Sequence, residues 1–424
     1  MRVAVVDFRF MWPPDGGSAT DVKEILSRLS RDHNVCLFVP EFQRLFPRGR
    51  GVEDIGVPFE RISSNLLTFQ PEIFSSRLHQ LIDKFQPDCT FFTDGWYIKS
   101  EIIRRFSFRP YVIRYYAYEG LCLRQHGTFF RNGCECNRNL LLEDSSEWRF
   151  CSTCARRWMA DERQLHFIHE FLISRAFSRS YRRGVIQSLA NAQAVICYNQ
   201  FIAKRIHPFN NRIYIIPSGI NISSFSNLKH PPELEKDRDD FNILMVGRKS
   251  DPTKGFQVLK KAVSRLILDF PNIRLHVTSN DRAPGSESWM ITHPWMSQES
   301  LPELYSSADL CVVPSLWPEP FGIVVLEAMA AGVPVIVSDA PGPAGIVTHM
   351  QDGLISPRGD DRKLAEAIRM IVESPALAKT LTEQARLTVE HYSWDKVYRR
   401  VERVLFSVAS GLPAELYDDS PLDL

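Results

Sequence analysis

The chain has almost no net charge. Its 51 Lys and Arg offset 50 Asp and Glu to leave +1, which excludes bulk electrostatic attraction to nucleic acid as an organising feature. It also lacks a run of 18 uncharged apolar residues. The longest candidate, Ile323 to Val337, is interrupted by Glu327, Gly332 and Pro334, so no transmembrane helix is expected. The segment Met1 to Asp7 meets an acid at once and has no small-residue cleavage site. It reads as a first strand and not as a signal peptide, and a cytoplasmic protein is expected. Isolated cysteines are few. Cys36, Cys89, Cys197 and Cys311 fall singly in apolar runs, where Cys behaves as a small buried hydrophobe. A dinucleotide fingerprint is missing as well. The first apolar run leads into FRFMWPPDGGSATDV, with no G-x-G-x-x-G, which disfavours an NAD or FAD enzyme.

What is present is alternation. Apolar runs at Arg2–Phe8, Val35–Val39, Cys89–Phe92, Tyr111–Tyr115, Ala194–Tyr198 and Ile213–Ile216 alternate with helix-length segments. The first of these segments carries Val22, Ile25, Leu26 and Leu29 on one face. A charged stretch, PPELEKDRDD at 231–240, interrupts the pattern and reads as a solvated linker. Alternation restarts with Phe241–Val246, an amphipathic helix through Phe256, Leu259, Val263, Leu266, Ile267 and Phe270, and strands at Ile273–Val277, Leu310–Val313 and Val333–Val337. Short β-branched runs separated by helices imply parallel strands covered on both faces. The expected architecture is α/β, with two Rossmann-like doubly wound domains facing a central cleft. The boundaries are 1–230, with a Cys-rich insertion at about 120–160, then the linker 231–240, a second domain 241–395, and a C-terminal helix and tail 396–424 packing back on the first domain.

Two places carry chemistry. After Phe241–Val246 come Gly247, Arg248 and then Asp251-Pro252-Thr253-Lys254-Gly255. This puts an Arg just past a strand and a Lys at a helix entrance, a pairing suited to a diphosphate. The same two residues read equally as solvated cations of a βα loop. Downstream, Pro318 to Pro334 reads PEPFGIVVLEAMAAGVP. Glu319 precedes an apolar helix and Glu327 lies within it. Gly322 allows close backbone approach at the helix start, and the free first-turn amides there favour an anion. An acid inside such an apolar helix needs a partner.

The stretch from Glu319 to Glu327 resembles the two-glutamate motif of retaining GT-B glycosyltransferases, specifically glycosyltransferase family 4. Gly16-Gly17 resembles that family's first-loop glycine pair, Ile215 to Asn221 its pre-linker segment, and Gly247-Arg248 with Lys254-Gly255 its phosphate-binding pair. Leu304–Pro314 and His391-Tyr392-Ser393-Trp394 also fit, so the resemblance runs from Val3 to about Val404. It implies a glycosyltransferase that moves a sugar from a nucleotide-sugar donor to an acceptor hydroxyl in glycan or polysaccharide biosynthesis. It also implies that the first domain takes the acceptor and the second the donor.

By the same resemblance, Arg248 and Lys254 bind the donor diphosphate. Glu319 holds donor-sugar hydroxyls with the amides of Phe321 and Gly322, and Ile323 joins the donor-binding set. Glu327 takes the ribose hydroxyls, and Gly16 and Gly17 let the first loop approach donor and acceptor. No catalytic metal is expected, since cations and amides suffice for a leaving diphosphate. The one D-x-D, Asp237-Arg238-Asp239, falls in the charged linker and reads as surface. Tyr116 stands where the family often has His. The acceptor, whether glycan, lipid-linked glycan or small molecule, is left open. The competing readings are a GT-B nucleotide-sugar epimerase and a non-catalytic sugar-binding descendant.

Five cysteines crowd together: Cys122, Cys134, Cys136, Cys151 and Cys154. Cys151-Ser152-Thr153-Cys154 is a C-x-x-C, a bidentate pair for structural Zn²⁺. Its partners would be Cys122 and either Cys134 or Cys136, with His126 as an outside choice. Between Arg149 and Arg183 there are eight Arg against Asp161, Glu162 and Glu170. This stretch suits peripheral contact with anionic lipid at the inner face of a membrane, or an acidic acceptor, or else a solvated helix face.

Overall fold

The computed structural model describes residues 1–14, 16–42, 55–106, 109–125, 128–131, 133–142, 145–161, 165–225, 240–279, 287–297 and 300–412. Residues 231–239 of the expected linker, including Asp237, Arg238 and Asp239, lie outside the described residues, as does His126. The chain divides into two compact units. The first holds residues 1–128, 137–217 and 397–424, and the second holds 129–136 and 218–396.

Unit 1 is built on a seven-stranded, all-parallel sheet. Its strands are β1 (Arg2–Val6), β2 (Asn34–Phe42), β3 (Phe59–Ser64), β4 (Cys89–Phe92) and β5 (Tyr111–Tyr115). A two-stranded antiparallel hairpin follows, β6 (Phe130–Arg131) and β7 (Cys134–Glu135), which is part of unit 2. The sheet then resumes with β8 (Ala194–Cys197) and β9 (Ile213–Ile215). The spatial order is β3-β2-β1-β4-β5-β8-β9. The central strands β1, β4, β5 and β8 are apolar and almost wholly buried, as expected of strands covered on both faces. The helix Gly17–Asp32 packs Val22, Ile25, Leu26 and Leu29 into this core, each buried side chain contributing roughly 1.5–3 kcal/mol.

Unit 2 repeats the plan with six parallel strands: β10 (Phe241–Met245), β11 (Ile273–Ser279), β12 (Met290–Pro294), β13 (Leu310–Val313), β14 (Val335–Ser338) and β15 (Leu354–Ser356). Their order is β12-β11-β10-β13-β14-β15. The helix Phe256–Leu266 buries Phe256, Leu259, Ala262, Val263 and Leu266 against β10 and β11, the stripe its sequence period predicts. Two doubly wound α/β units are therefore present, as expected.

Strands β3, β12 and β15 were not foreseen. Each lies at a sheet edge, and the sequences FERISS and MITHP are largely half-exposed. An edge strand needs no continuous apolar run, so the signal used for the inner strands is weak there.

The unit boundary falls at Pro217/Ser218, ahead of the charged stretch. The Ile220 amide donates to the Tyr392 carbonyl at 2.8 Å and the Trp394 amide to the Ile220 carbonyl at 3.3 Å, which ties the pre-linker segment into unit 2. The helix Trp394–Ser410 enters unit 1 from Val397. There Arg400 donates to the Ile215 carbonyl at 2.7 Å, and Glu402 meets His33 Nε2 at 2.7 Å.

Candidate functional site

In a doubly wound sheet, ligands bind beyond the carboxyl ends of the strands where the strand order reverses. In unit 2 that reversal lies between β10 and β13, and the loops after these strands carry the expected residues. Gly247, Arg248 and Lys254 follow β10, and Ser315 and Glu319 follow β13. Asp251 caps the turn Pro252–Lys254 by accepting from the Thr253 amide at 3.0 Å. The Leu316 amide donates to the Thr253 carbonyl at 2.8 Å, joining the two loops.

Across that junction Lys254 Nζ bonds Glu319 Oε1 at 2.5 Å. The other carboxylate oxygen accepts from Ser315 Oγ. Ser315 is itself fixed, because Ser338 Oγ donates to its carbonyl at 2.7 Å. Arg248, on the same loop as Lys254, is half-exposed and its nearest ionic contact is Asp251 at 3.6 Å. The structure thus brings Lys254 and Glu319 into direct contact and leaves the Arg248 guanidinium facing solvent.

Glycine is required at Gly255. Its φ is 78°, and a Cβ there would stand 1.9 Å from the Pro314 carbonyl oxygen. Gly322, with φ 100°, precedes the helix Ile323–Ala331, and no side chain caps that helix. Gly322 and Ile323 therefore head the helix with no side chain capping it, an arrangement that favours an anion.

Glu327, four residues further, is buried. Its Oε2 accepts from Tyr305 Oη at 2.7 Å. Burial raises its pKa above the ordinary carboxyl value, and the tyrosine bond pulls part of the way back. No cation neutralises it among the described ion pairs. A half-satisfied buried carboxylate suits a ligand hydroxyl.

Unit 1 has its own reversal between β1 and β4. Gly16 caps the helix Gly17–Asp32 with extended backbone, and a Cβ on Gly16 or Gly17 would meet nothing within 4 Å. Among the described residues, no atom beyond the chain neighbours would therefore exclude a side chain there.

Composition and spacing gave no sign of the carboxylates at this point. Asp7 directly follows β1 and is buried. It accepts from the Arg9 amide at 2.8 Å, Thr93 Oγ1 at 2.7 Å and the Asp94 amide at 3.1 Å, clipping the two loops together. Burial, and then the neighbouring Asp94 charge, push its carboxyl up to about 6. Asp94 accepts from Ser18 Oγ at 2.7 Å and Arg9 Nη1 at 3.2 Å.

Tyr116 is not available to a ligand through its hydroxyl. It is buried and donates to Asp21 Oδ1 at 2.9 Å, while Arg114 Nη2 donates to Asp21 Oδ2 at 2.9 Å. Burial holds the Tyr116 phenol well above its ordinary pKa, so it stays neutral and locks the first helix to the loop after β5.

None of the five clustered cysteines forms a disulfide. Cys134 is on strand β7 with Cys136 two residues on, whereas Cys151 and Cys154 share a face of the helix Ser145–Asp161. Among the described residues, no group of three or more His, Cys, Asp or Glu is placed to hold a metal ion. Of the expected zinc ligands, Cys134 and Cys136 belong to unit 2, and Cys122, Cys151 and Cys154 to unit 1. The four isolated cysteines are buried as expected, and burial pushes Cys36, Cys89 and Cys197 up to about 12.

Residues 226–388 match the family Glycosyl transferases group 1. The chain is 28% identical over 206 residues to the phosphatidyl-myo-inositol mannosyltransferase of Mycobacterium leprae, covering 46% of this chain and 54% of that protein. It is 31% identical over 213 residues to an uncharacterized glycosyltransferase of Methanocaldococcus jannaschii, again 46% and 54%. The chain spans about half the length of these curated relatives.

Among solved structures, sucrose-phosphate synthase from Thermosynechococcus elongatus superposes with a TM-score of 0.70 at 19% identity, over 97% of this chain and 99% of that one. HepE of Anabaena, in complex with UDP and glucose, superposes at 0.65 and 17%, over 96% and 100%. The fold is that of the GT-B glycosyltransferases.

Proposed function

We propose that this protein is a retaining glycosyltransferase of family 4 that transfers a sugar from a nucleoside diphosphate sugar to an acceptor hydroxyl. The observation that carries the reading is the Lys254–Glu319 contact at the switch point of unit 2, beside the uncapped helix Ile323–Ala331. A diphosphate takes Lys254 from Glu319 and gains Arg248 and the amides of Phe321, Gly322 and Ile323. Glu319, released, accepts from hydroxyls of the donor sugar. Glu327 keeps Tyr305 on one oxygen and accepts from the ribose hydroxyls with the other. The Glycosyl transferases group 1 match over these residues and the UDP complex of HepE support a nucleotide-sugar donor.

In the step itself the bond from the anomeric carbon to the diphosphate oxygen breaks, and a bond to the acceptor oxygen forms on the same face. The acceptor proton passes to the departing diphosphate. Lys254, Arg248 and the helix amides stabilise the charge that develops there. On unit 1, Asp94 with Arg9 and Ser18 binds an acceptor hydroxyl, and Gly16-Gly17 leaves room for it. The mycobacterial relatives' name supports a polyol or lipid-linked polyol as acceptor.

The test is product analysis with UDP-, GDP- and ADP-sugars against polyol and glycan acceptors, with the new linkage read by NMR. Transfer with the donor's anomeric configuration kept supports the reading. An inverted product removes the retaining assignment, and a donor epimerised without transfer replaces the function.

A further inference from the structure

The loop that carries Glu319 is itself held by the loop after β14. Ser338, the last residue of β14, donates its Oγ to the Ser315 carbonyl at 2.7 Å. Further along the same loop, the Gly342 amide donates to the Glu319 carbonyl at 2.8 Å. The approach is close, because a Cβ on Gly342 would collide with the amide nitrogen and carbonyl oxygen of Phe321. Pro343 lies against Gly322, where an added Cβ would stand 3.0 Å from Pro343 Cγ. Residues 338–343 therefore act as a template for the span 315–322, which bears Glu319 and leads into the helix Ile323–Ala331.

That template is pinned in turn by Arg358, which follows β15. The Arg358 backbone amide and its Nε both donate to Asp339 Oδ1, at 3.1 Å and 2.8 Å. The Asp339 amide donates to the Ser356 carbonyl at 3.0 Å. Arg358 Nη1 meets a second carboxylate, Glu135 Oε2, at 2.8 Å. Glu135 lies on β7, in the hairpin that interrupts unit 1 along the chain and belongs to unit 2. A planar guanidinium held by two carboxylates and tied through its own backbone amide keeps little freedom.

We infer that Arg358, clamped between Asp339 and Glu135, is a positioning residue for Glu319. It fixes the loop after β14, and that loop fixes the carboxylate. An ordinary surface ion pair adds slightly to stability and reaches nothing else. This one differs because Asp339 adjoins Ser338, whose hydroxyl holds the carbonyl of Ser315, and the Ser315 hydroxyl donates to Glu319. The inference rests on the donor-site reading for what Glu319 binds, and on the geometry alone for what holds Glu319 in place. Lys254 comes from the loop after β10, which Arg358 does not touch among the described contacts. The brace therefore acts on the sugar end of a donor more than on its diphosphate.

The experiment is calorimetric titration of the full chain with UDP and UDP-glucose and with GDP and GDP-mannose, joined to hydrogen exchange of the ligand-free proteins. In Arg358→Ala, affinity for the nucleotide sugar should fall about tenfold to a hundredfold, while the matching nucleoside diphosphate changes less than about threefold. Glu135→Gln should show the same split to a smaller degree, and Arg358→Lys should recover part of the loss. Amides of residues 315–322 should exchange at least about tenfold faster in Arg358→Ala than in the wild type, with those of β13 unchanged. If Arg358→Ala does not fold, Glu135→Gln carries the same comparison. Equal losses for sugar and nucleotide, or unchanged affinities with a lower melting temperature, overturn the inference and leave the brace to the fold alone. So does unchanged exchange over 315–322. A wild type that binds none of the four ligands overturns the donor-site reading instead, and the exchange measurement then decides the positioning by itself.

Discussion

Lys254 and Glu319 meet at 2.5 Å across the point where the second sheet reverses its strand order, one from the loop after β10 and the other from the loop after β13. Each is the other's ionic partner in the absence of ligand. A diphosphate competes for the lysine and leaves the glutamate for a sugar hydroxyl. Lys254→Ala should therefore lower nucleoside diphosphate affinity about a hundredfold, and leave Glu319 on Ser315 alone at a stability loss of about 1–3 kcal/mol. Calorimetric titration and denaturant unfolding read the two effects separately. Unchanged affinity would remove Lys254 from the site.

The glycines separate packing from ligand approach. Gly255→Ala forces a Cβ onto the Pro314 carbonyl at a positive φ and should cost about 3 kcal/mol or more. Gly17→Ala meets open space and should leave the melting temperature unchanged while slowing transfer. A large loss of stability in Gly17→Ala would make that glycine structural.

Tyr305 is the donor that holds Glu327. Tyr305→Phe leaves the buried carboxylate without a protein partner, and nucleotide binding should fall about tenfold as the acid becomes harder to ionise. The folded pKa of Glu327 is raised, so its ionisation destabilises the fold as pH climbs above the ordinary carboxyl value. Glu327→Gln should remove that part of the pH dependence and unfold no more easily than wild type at neutral pH. An easier unfolding of Glu327→Gln at neutral pH would contradict this account.

Asp7 supplies a pH signature in unit 1. Its folded pKa of about 6 stands above its ordinary value of 3.8. Its contribution is therefore fully present below about pH 4 and lost as pH rises through 6, by roughly 3 kcal/mol at most. Asp7→Asn disturbs the bonds from Thr93 and Asp94 at every pH but cannot ionise. The stability gap between wild type and Asp7→Asn should narrow from pH 4 to pH 7. A gap that widens over this range would contradict the raised pKa.

The inner strands and the two carboxylates of Pro318–Pro334 were legible because a local pattern carries them. β-branched runs mark the strands, and an acid inside an apolar helix marks Glu327. Ser315 and Tyr305 were not legible as parts of the site. Nothing in a serine or a tyrosine announces which carboxylate it will bond, and the pairings Ser315–Glu319 and Tyr305–Glu327 exist only in the folded chain. Asp7 and Asp94 stayed hidden for the same reason, since they lie 87 positions apart and meet through strand pairing.

The central claim is that the switch point of unit 2 binds a nucleoside diphosphate through Lys254. The most direct measurement is a thermal-shift panel of UDP, GDP, ADP, CMP and dTDP on wild type and Lys254→Ala. A ligand at about a hundred times its dissociation constant adds about 2.7 kcal/mol, a shift of several degrees. The account predicts that one nucleoside diphosphate stabilises the wild type and fails to stabilise the variant. No shift with any nucleotide at millimolar concentration, or an equal shift in both proteins, would contradict it.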